Sequence, residues 1–151
     1  MLDRIDLAIL RALQANGRIS NVELAEKVGL SPTPCLRRLK RLEEQGVIRQ
    51  YTCLLDQEAI GYPVNCFVSV SLHSKADKQI EAFQRAISRA PQVMECYLMT
   101  GSNDFLLRVV AKDLRDYETF LSETLTRIEG IKEINTSFAL SQLVRRFELP
   151  I

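Results

Sequence analysis

Little in this chain of 151 residues is typical of an enzyme or a metal protein. Its only histidine, His73, lies in a polar stretch with neither an acidic partner nor a nucleophile beside it. No glycine-rich phosphate-binding loop occurs. The cysteines, which are Cys35, Cys53, Cys66 and Cys96, include no Cys-x-x-Cys pair, and this argues against a zinc site. We therefore predict no catalytic centre, no metal and no cofactor, and we interpret three of the cysteines as reduced core residues.

Long apolar runs are also missing. No run reaches the roughly eighteen residues that a membrane-spanning helix needs. The first residues are charged, without the apolar stretch of a signal peptide. We therefore expect a cytoplasmic protein with no membrane partner. Its length allows one ordinary domain or two small ones.

The chain as a whole has little net charge, +1, but its positive charge is unevenly distributed. Between Ser31 and Gln50, five cations stand against two anions. From Gly61 onward, eleven cations balance eleven anions. A local basic excess of this kind is typical of a surface that contacts nucleic acid.

The basic excess lies on a predicted amphipathic helix from Ser31 to Gly46. Ser31 is a good N-cap, Pro32 fits the first turn, and Gly46 can end the helix. One face is apolar, and the other carries polar and basic residues: Thr33, Pro34, Arg37, Arg38, Lys40 and Arg41. Taken alone, the pattern leaves two alternatives open. The helix either lies in a DNA groove or is an ordinary surface helix with a solvated basic face.

Two further helices are predicted before this one. Asp3 can cap a helix from Arg4 to about Asn16, and Ser20 with Glu23 forms a capping box for the next. The inward residues of that second helix are expected to be Val22, Leu24, Ala25 and Val28. A short glycine-containing turn then leads to the basic helix, which is the helix-turn-helix arrangement. Residues 47–56 are rich in apolar and β-branched residues and predict one or two short strands, which form either the wing of a winged helix-turn-helix or a lead-out from the helices.

The periodicity changes near residue 61, where we place a boundary between domains at residues 1–60 and 61–151. The second half alternates strands and helices, predicted at residues 64–72, 76–90, 93–100, 105–111, 113–130 and 131–140, with a short fifth strand at 142–149. This order is the ferredoxin-like βαββαβ pattern, so the fold class is α+β. The middle strands carry apolar residues on both faces, whereas the helices cover only one. We therefore expect a dimer that pairs sheet against sheet.

The stretch LDRIDLAILRALQANGRISNVELAEKVGLSPTPCLRRLKRLEEQGVI resembles the DNA-binding half of the leucine-responsive/asparagine-operon regulator (Lrp/AsnC) family of transcription factors. The stretch ECYLMTGSNDFLLRVVAKD and the helix ending in TRIEGI are similar to that family's amino-acid-sensing domain. The resemblance implies a homodimer that assembles into an octamer on double-stranded DNA, associated with the nucleoid. It also implies an amino-acid effector, with leucine or methionine expected, held between dimers near the turn at Gly101. Family members commonly carry two acidic residues in this turn, but here Ser102 replaces the first and Asp104 keeps the second.

On the basic helix, Arg37 is expected to read a base, because a guanidinium can grip guanine with two hydrogen bonds. Thr33 can touch a thymine methyl group or a phosphate. The neighbouring cations are expected at phosphates: Arg38, Lys40 and Arg41. Three polar residues at helix starts are also expected near phosphates: Ser20, Asn21 and Ser31.

The expected effector site follows from the chemistry of a free amino acid. Its carboxylate needs backbone N–H groups or a hydroxyl group, which the turn at Gly101 and Ser102 offers. Its ammonium group needs an acid or carbonyls, and Asp104 is the nearest acid. The other expected residues are Tyr97, Leu98, Met99, Thr100 and Asn103. The alternative is a hairpin turn whose Asn103 and Asp104 satisfy only turn chemistry. Two functional alternatives also stay open: an amino-acid-binding module, or a nucleoid-type DNA-organising protein without effector-specific regulation.

Overall fold

A computed structural model describes all residues from Met1 to Ile151 and divides the chain into two compact units. The first unit comprises Met1–Leu54 and Leu143–Ile151, and the second comprises Leu55–Gln142. The expected boundary between residues 60 and 61 differs from this division in two ways. The second unit begins at Leu55, and residues 143–151 belong to the first unit. None of the helices is long and apolar enough to cross a membrane.

The first unit is built on three helices: α1 at Arg4–Ala15, α2 at Asn21–Val28 and α3 at Pro32–Glu44. The sequence predicts helix caps at Asp3 and Ser20 and a capping box at Ser20, and the structure has a capping box at both. Gly29 ends α2 with a φ of 69°, a conformation that favours glycine. The buried core of the unit comprises Ile9, Leu24, Ala25, Cys35 and Leu42. The predicted helix-turn-helix is confirmed.

Two expectations for the first unit are wrong. Residues 47–56 form no strand. The amides of Val47 and Ile48 both donate to Leu42 at the end of α3, and no neighbouring strand pairs with the residues that follow. Val22 is 55% exposed, not buried. It lies two residues before buried Leu24, about 200° around the helix, and so points away from the core.

Leu143–Ile151, which we name the return segment, lies against α1 instead of forming the expected fifth strand. The side-chain amide of Gln14 donates to the carbonyl of Leu149 at 3.1 Å and accepts from its N–H at 2.7 Å. The Nε atom of Arg11 donates to the carbonyl of Ile151. Because the backbone groups of Leu149 bind a side chain, they are not available to a strand partner.

The second unit is a four-stranded antiparallel sheet with helices. Its elements in chain order are β1 at Val64–Leu72, α4 at Asp77–Ile87, β2 at Val93–Leu98, β3 at Phe105–Ala111, α5 at Leu114–Glu123, a 3-10 helix at Leu125–Arg127 and β4 at Ile131–Phe138. The strands lie in the order β2-β3-β1-β4. This confirms the predicted βαββαβ order, and the β1 bounds are those predicted.

One face of the sheet is buried by the helices. Alternate residues of β1, from Cys66 to Leu72, point into the core, and Phe83 of α4 stacks on Phe105 of β3 with ring centroids 4.2 Å apart. The other face of β1 includes Phe67, which is 38% exposed. Only Cys35 and Cys66 are buried, so the interpretation of three cysteines as core residues is wrong. Cys96 is exposed because β2 is an edge strand.

Candidate nucleic-acid interface and effector site

The outer face of α3 carries exposed polar and basic side chains. Thr33, Arg37, Lys40 and Arg41 are exposed, whereas Pro34 is half-buried. Arg37 and Lys40 form no ion pair within the chain. Their N–H donors are therefore free to bind an external acceptor, which is what a helix that contacts DNA requires.

Two arginines of α3 are held by acids of the N-terminal region. Nη1 of Arg38 lies 2.6 Å from Oδ2 of Asp3 and 2.9 Å from Oδ1 of Asp6. Nη2 of Arg41 lies 2.6 Å from Oδ2 of Asp6. Arg38 is therefore less free than the sequence suggests, since its Nη1 already bridges two carboxylates and only its remaining N–H donors can reach a phosphate. Sequence reasoning missed Asp6, because its partners lie 32 and 35 residues away.

Asp6 is fully buried, and its carboxylate pairs with two arginines. Burial opposes its charge. The backbone amide of Asp3 and the guanidinium groups of Arg38 and Arg41 outweigh this effect and lower the pKa of Asp6 below its ordinary value. Together with Arg37, these two arginines line a notch of about 180 Å³ on the surface.

The three polar residues at helix starts differ in availability. The Ser20 hydroxyl accepts from the Glu23 amide at 3.2 Å and donates to the Glu23 carboxylate at 2.8 Å. Asn21 donates to the carbonyl of Pro32 at 2.9 Å and so joins the start of α2 to the start of α3. These side chains thus serve the fold, and phosphate contact by the amides at the start of α2 stays a prediction. Ser31 makes no side-chain capping bond and remains available.

The second candidate site is the turn that joins β2 to β3. The amide of Met99 donates to the carbonyl of Asp104 at 2.8 Å and closes the turn. Gly101 adopts a φ of 119°, which favours glycine. Thr100, Gly101 and Ser102 are exposed, so their backbone groups are accessible.

Tyr97 and Leu98 do not line one pocket wall, because neighbouring residues of a strand point to opposite faces of a sheet. Leu98 pairs with buried Phe105 and lies on the helix side, where it is 64% exposed. Tyr97 pairs with Leu106 on the opposite face. This corrects the expectation that both side chains surround one effector.

Asp104 serves mainly to hold the turn against β1. It is 6% exposed, its Oδ2 accepts from the Leu72 amide at 2.8 Å, and its Oδ1 pairs with Lys75 at 2.9 Å. The hydrogen bond from Leu72, followed by that from Lys75, lowers the pKa of Asp104. Each oxygen of the carboxylate therefore already has a partner within the chain, and the expected contact with an effector's ammonium group stays a prediction. Asn103 also faces β1 and accepts from the Ser71 hydroxyl at 3.4 Å.

Comparisons with known proteins agree with both halves of the fold. Residues 2–49 match a family described as winged helix-turn-helix DNA-binding, and residues 65–149 match the Lrp/AsnC ligand binding domain. A Bkd operon transcriptional regulator from Pseudomonas aeruginosa is 49% identical over 99% of this chain and 98% of its own length. The leucine-responsive regulatory protein of Escherichia coli K12 is 41% identical over 99% of this chain and 92% of its own length.

Among solved structures, a transcriptional regulator from Neisseria meningitidis in complex with L-Met superposes with a TM-score of 0.94. It is 40% identical, and the match covers 99% of this chain and 97% of that one. These relatives are regulators and not enzymes, in agreement with the predicted absence of catalysis. The chain belongs to the Lrp/AsnC family of DNA-binding transcriptional regulators.

Proposed function

We propose that this regulator binds near-palindromic promoter sites as a dimer-based octamer and responds to leucine or methionine. The observation that carries the DNA-binding role is the exposed face of α3, where Arg37 and Lys40 have no partner within the chain. The names of two relatives support the effector class, since one is leucine-responsive and another was solved with L-Met. The protein acts in the cytoplasm, at the nucleoid.

On DNA, Arg37 reads a base, and Thr33 contacts a thymine methyl group or a phosphate. Phosphates are contacted by Ser31, Arg38, Lys40 and Arg41. Arg37 lies near the start of α3, the part of a recognition helix that reaches base edges. Pro34 lies on the same face and fixes the backbone of the first turn. Cations farther along the helix are suited to phosphates, which position the protein without reading sequence.

The DNA-binding proposal is tested with a duplex selected by the wild-type protein from a random-sequence pool, and with a scrambled duplex. Arg37→Ala should weaken binding to the selected duplex by about 1–3 kcal/mol and leave the scrambled duplex less affected. Lys40→Ala, a matched loss of one exposed cation, should weaken both about equally. Equal loss of specificity in the two variants would contradict the division of roles, and a wild-type affinity independent of salt would contradict DNA binding itself.

We propose that the effector's carboxylate binds the backbone N–H groups of Gly101 and Ser102, and that Leu98 and Met99 contact its side chain. Thr100 and Asn103 flank the same turn, and a neighbouring dimer completes the pocket. Exposed turn amides suit an anion, and the apolar side chains suit leucine or methionine. Because Asp104 is engaged by Leu72 and Lys75, the ammonium group binds carbonyl oxygens of the turn or of the neighbouring dimer.

Thermal unfolding in the presence of each of the twenty amino acids tests the effector, since a ligand that binds only the folded state raises its stability. Leu98→Ala should reduce the shift caused by the active amino acid. Leu114→Ala is the matched control, because Leu114 is 65% exposed and Leu98 is 64% exposed. If no amino acid raises the unfolding temperature, the protein fits the nucleoid-type alternative. The same reduction in both leucine variants would contradict the proposed pocket.

Oligomer assembly has its own support and test. The edge strand β2 exposes Met94 and Leu98, and apolar edges of this kind are normally covered by a partner. Effector binding can regulate only by favouring one assembly or arm geometry over another. Sedimentation and small-angle scattering should therefore change at saturating amino acid, and unchanged profiles would contradict this mechanism.

A further inference from the structure

A buried acid outside α3 contacts two arginines of α3. Asp6 of α1 has a side chain that is 1% exposed, and its two oxygens bind one arginine each, Arg38 at 2.9 Å and Arg41 at 2.6 Å. The side chains of these arginines are 25% and 44% exposed. Both therefore extend from the surface to the same internal anchor, which restricts their rotamers.

The arginines keep most of their hydrogen-bonding capacity. A guanidinium group carries five N–H donors. Arg38 uses only Nη1, toward Asp3 and Asp6, and Arg41 uses only Nη2. Arg37 has no ion pair within the chain, and all three side chains line the same notch.

The charge of this cluster is not balanced within the chain. Three guanidinium groups face the two carboxylates of Asp3 and Asp6, which leaves one positive charge in excess at the notch. A DNA backbone phosphate carries one negative charge and accepts several N–H donors at once, so it fits this notch in charge and in hydrogen bonding.

We propose that Asp6 is a positioning residue for DNA binding, which holds Arg38 and Arg41 so that they grip one backbone phosphate beside the base that Arg37 reads. This inference rests on the proposed function, in which α3 contacts DNA. Arginine side chains that are already ordered lose less conformational entropy on binding than free ones do. Asp6 thus strengthens DNA binding although its own charge repels phosphate. If Asp6 acted only through the repulsion between its charge and phosphate, its replacement by a neutral residue would tighten DNA binding.

The change in DNA affinity on replacing Asp6 is measured with Asp6→Asn in the full chain, using the selected duplex and fluorescence anisotropy. Glu26→Gln is the matched control, because it removes one negative charge from an exposed position of α2. We expect Asp6→Asn to weaken binding by about fivefold to tenfold, and Glu26→Gln to leave binding unchanged or tighter. If Asp6→Asn binds as tightly as Glu26→Gln, the proposal is overturned.

A double-mutant cycle separates positioning from a general effect on the fold. In a background that carries Arg38→Ala and Arg41→Ala, Asp6→Asn should cause no further loss of affinity. A loss of the same size in both backgrounds would mean that Asp6 acts only through the fold. A scan with neutral methylphosphonate linkages should also find one position that weakens the wild type and leaves Asp6→Asn unaffected. The absence of any such position contradicts the grip on one phosphate.

A second variant keeps the proposal testable if Asp6→Asn does not fold. Arg41→Lys keeps the charge, but its single, shorter ammonium group cannot contact Asp6 and an outer phosphate together. It should therefore bind more weakly than the wild type, although less weakly than Arg41→Ala, and wild-type affinity would overturn the inference. The two proposals fail differently. A wild-type protein without salt-dependent DNA binding refutes both, whereas normal wild-type binding with unaffected Asp6 and Arg41 variants refutes only the role of Asp6.

Discussion

Replacement of Asp104 is the most informative perturbation of the sensing unit, because one buried carboxylate there holds two partners. Its Oδ2 accepts from the amide of Leu72 at 2.8 Å, and its Oδ1 pairs with Lys75 at 2.9 Å. Asp104→Ala would leave the amide of Leu72 buried without an acceptor. Asp104→Asn can still accept that hydrogen bond through its amide oxygen and loses only the charge.

The magnitudes follow from the exposure of each partner. A buried donor left without an acceptor costs about 1–3 kcal/mol, so Asp104→Ala should lower the free energy of unfolding by about that amount. The Lys75 side chain is 71% exposed, and an ion pair of that kind contributes about 0–1 kcal/mol. Lys75→Ala should therefore cost clearly less than Asp104→Ala, with Asp104→Asn in between.

Urea unfolding at a fixed protein concentration measures these differences, because the stability of an oligomer depends on concentration. A lower midpoint with an unchanged slope reports a true loss of stability. If Lys75→Ala costs as much as Asp104→Ala, the solvent-exposed pair and not the buried amide holds the turn, and our reasoning is wrong. The same holds if Asp104→Ala has no effect.

The contribution of Asp104 to the stability of the fold should decrease in acid. The folded protein holds the pKa of Asp104 below the reference value of 3.8, so the carboxylate stabilises the fold above the unfolded pKa. This contribution is lost as the pH falls through the lower, folded pKa. The difference in stability between wild type and Asp104→Asn should therefore be constant near neutral pH and shrink in acid. A difference that grows in acid would contradict the assignment.

Two further predictions concern the backbone and the return segment. Gly101→Ala should cost about 1–2 kcal/mol of stability, because the φ of 119° strains any other residue while no atom blocks the added Cβ. Gly17→Ala is the control, because the φ of Gly17 is not in that region. An equal loss of stability in the two variants, measured by urea unfolding, would refute the conformational cause. Gln14→Ala should lower global stability by about 1 kcal/mol or less but abolish hydrogen-exchange protection of the Leu149 amide, whereas Gln50→Ala should not. Unchanged protection in Gln14→Ala would mean that the observed contact does not hold the segment.

The regular elements could be predicted from the sequence, because burial of one face requires apolar residues at every second position of a strand and at every third or fourth position of a helix. The alternation from Val64 to Leu72 reproduced the bounds of β1, and the caps at Asp3 and Ser20 marked the starts of α1 and α2. Residues 47–56 show that composition alone does not make a strand. Their apolar, β-branched composition permits a strand, but a strand also needs a partner, and composition does not reveal one.

The sites were less predictable than the fold, because a side chain's role depends on partners that are distant in sequence. The helical wheel of α3 placed Arg38 at the edge of the basic face, but only the folded chain brings it to Asp3 and Asp6. Likewise, Asp104 looked available in the sequence, whereas the end of β1 supplies the amide of Leu72 that binds it. Arg37, Lys40 and Ser31 kept their expected exposure because no distant group reaches them.

The return segment has a consequence for how the protein is made. During translation, residues 143–151 leave the ribosome after the whole of the sensing unit. Gln14 and Arg11 of α1 therefore have no return segment to bind until that point. The three helices can collapse early, but α1 receives these contacts only after β4 has been synthesised. The return segment thus adds its contacts to the DNA-binding unit at a time when every strand of the sensing unit has already been synthesised.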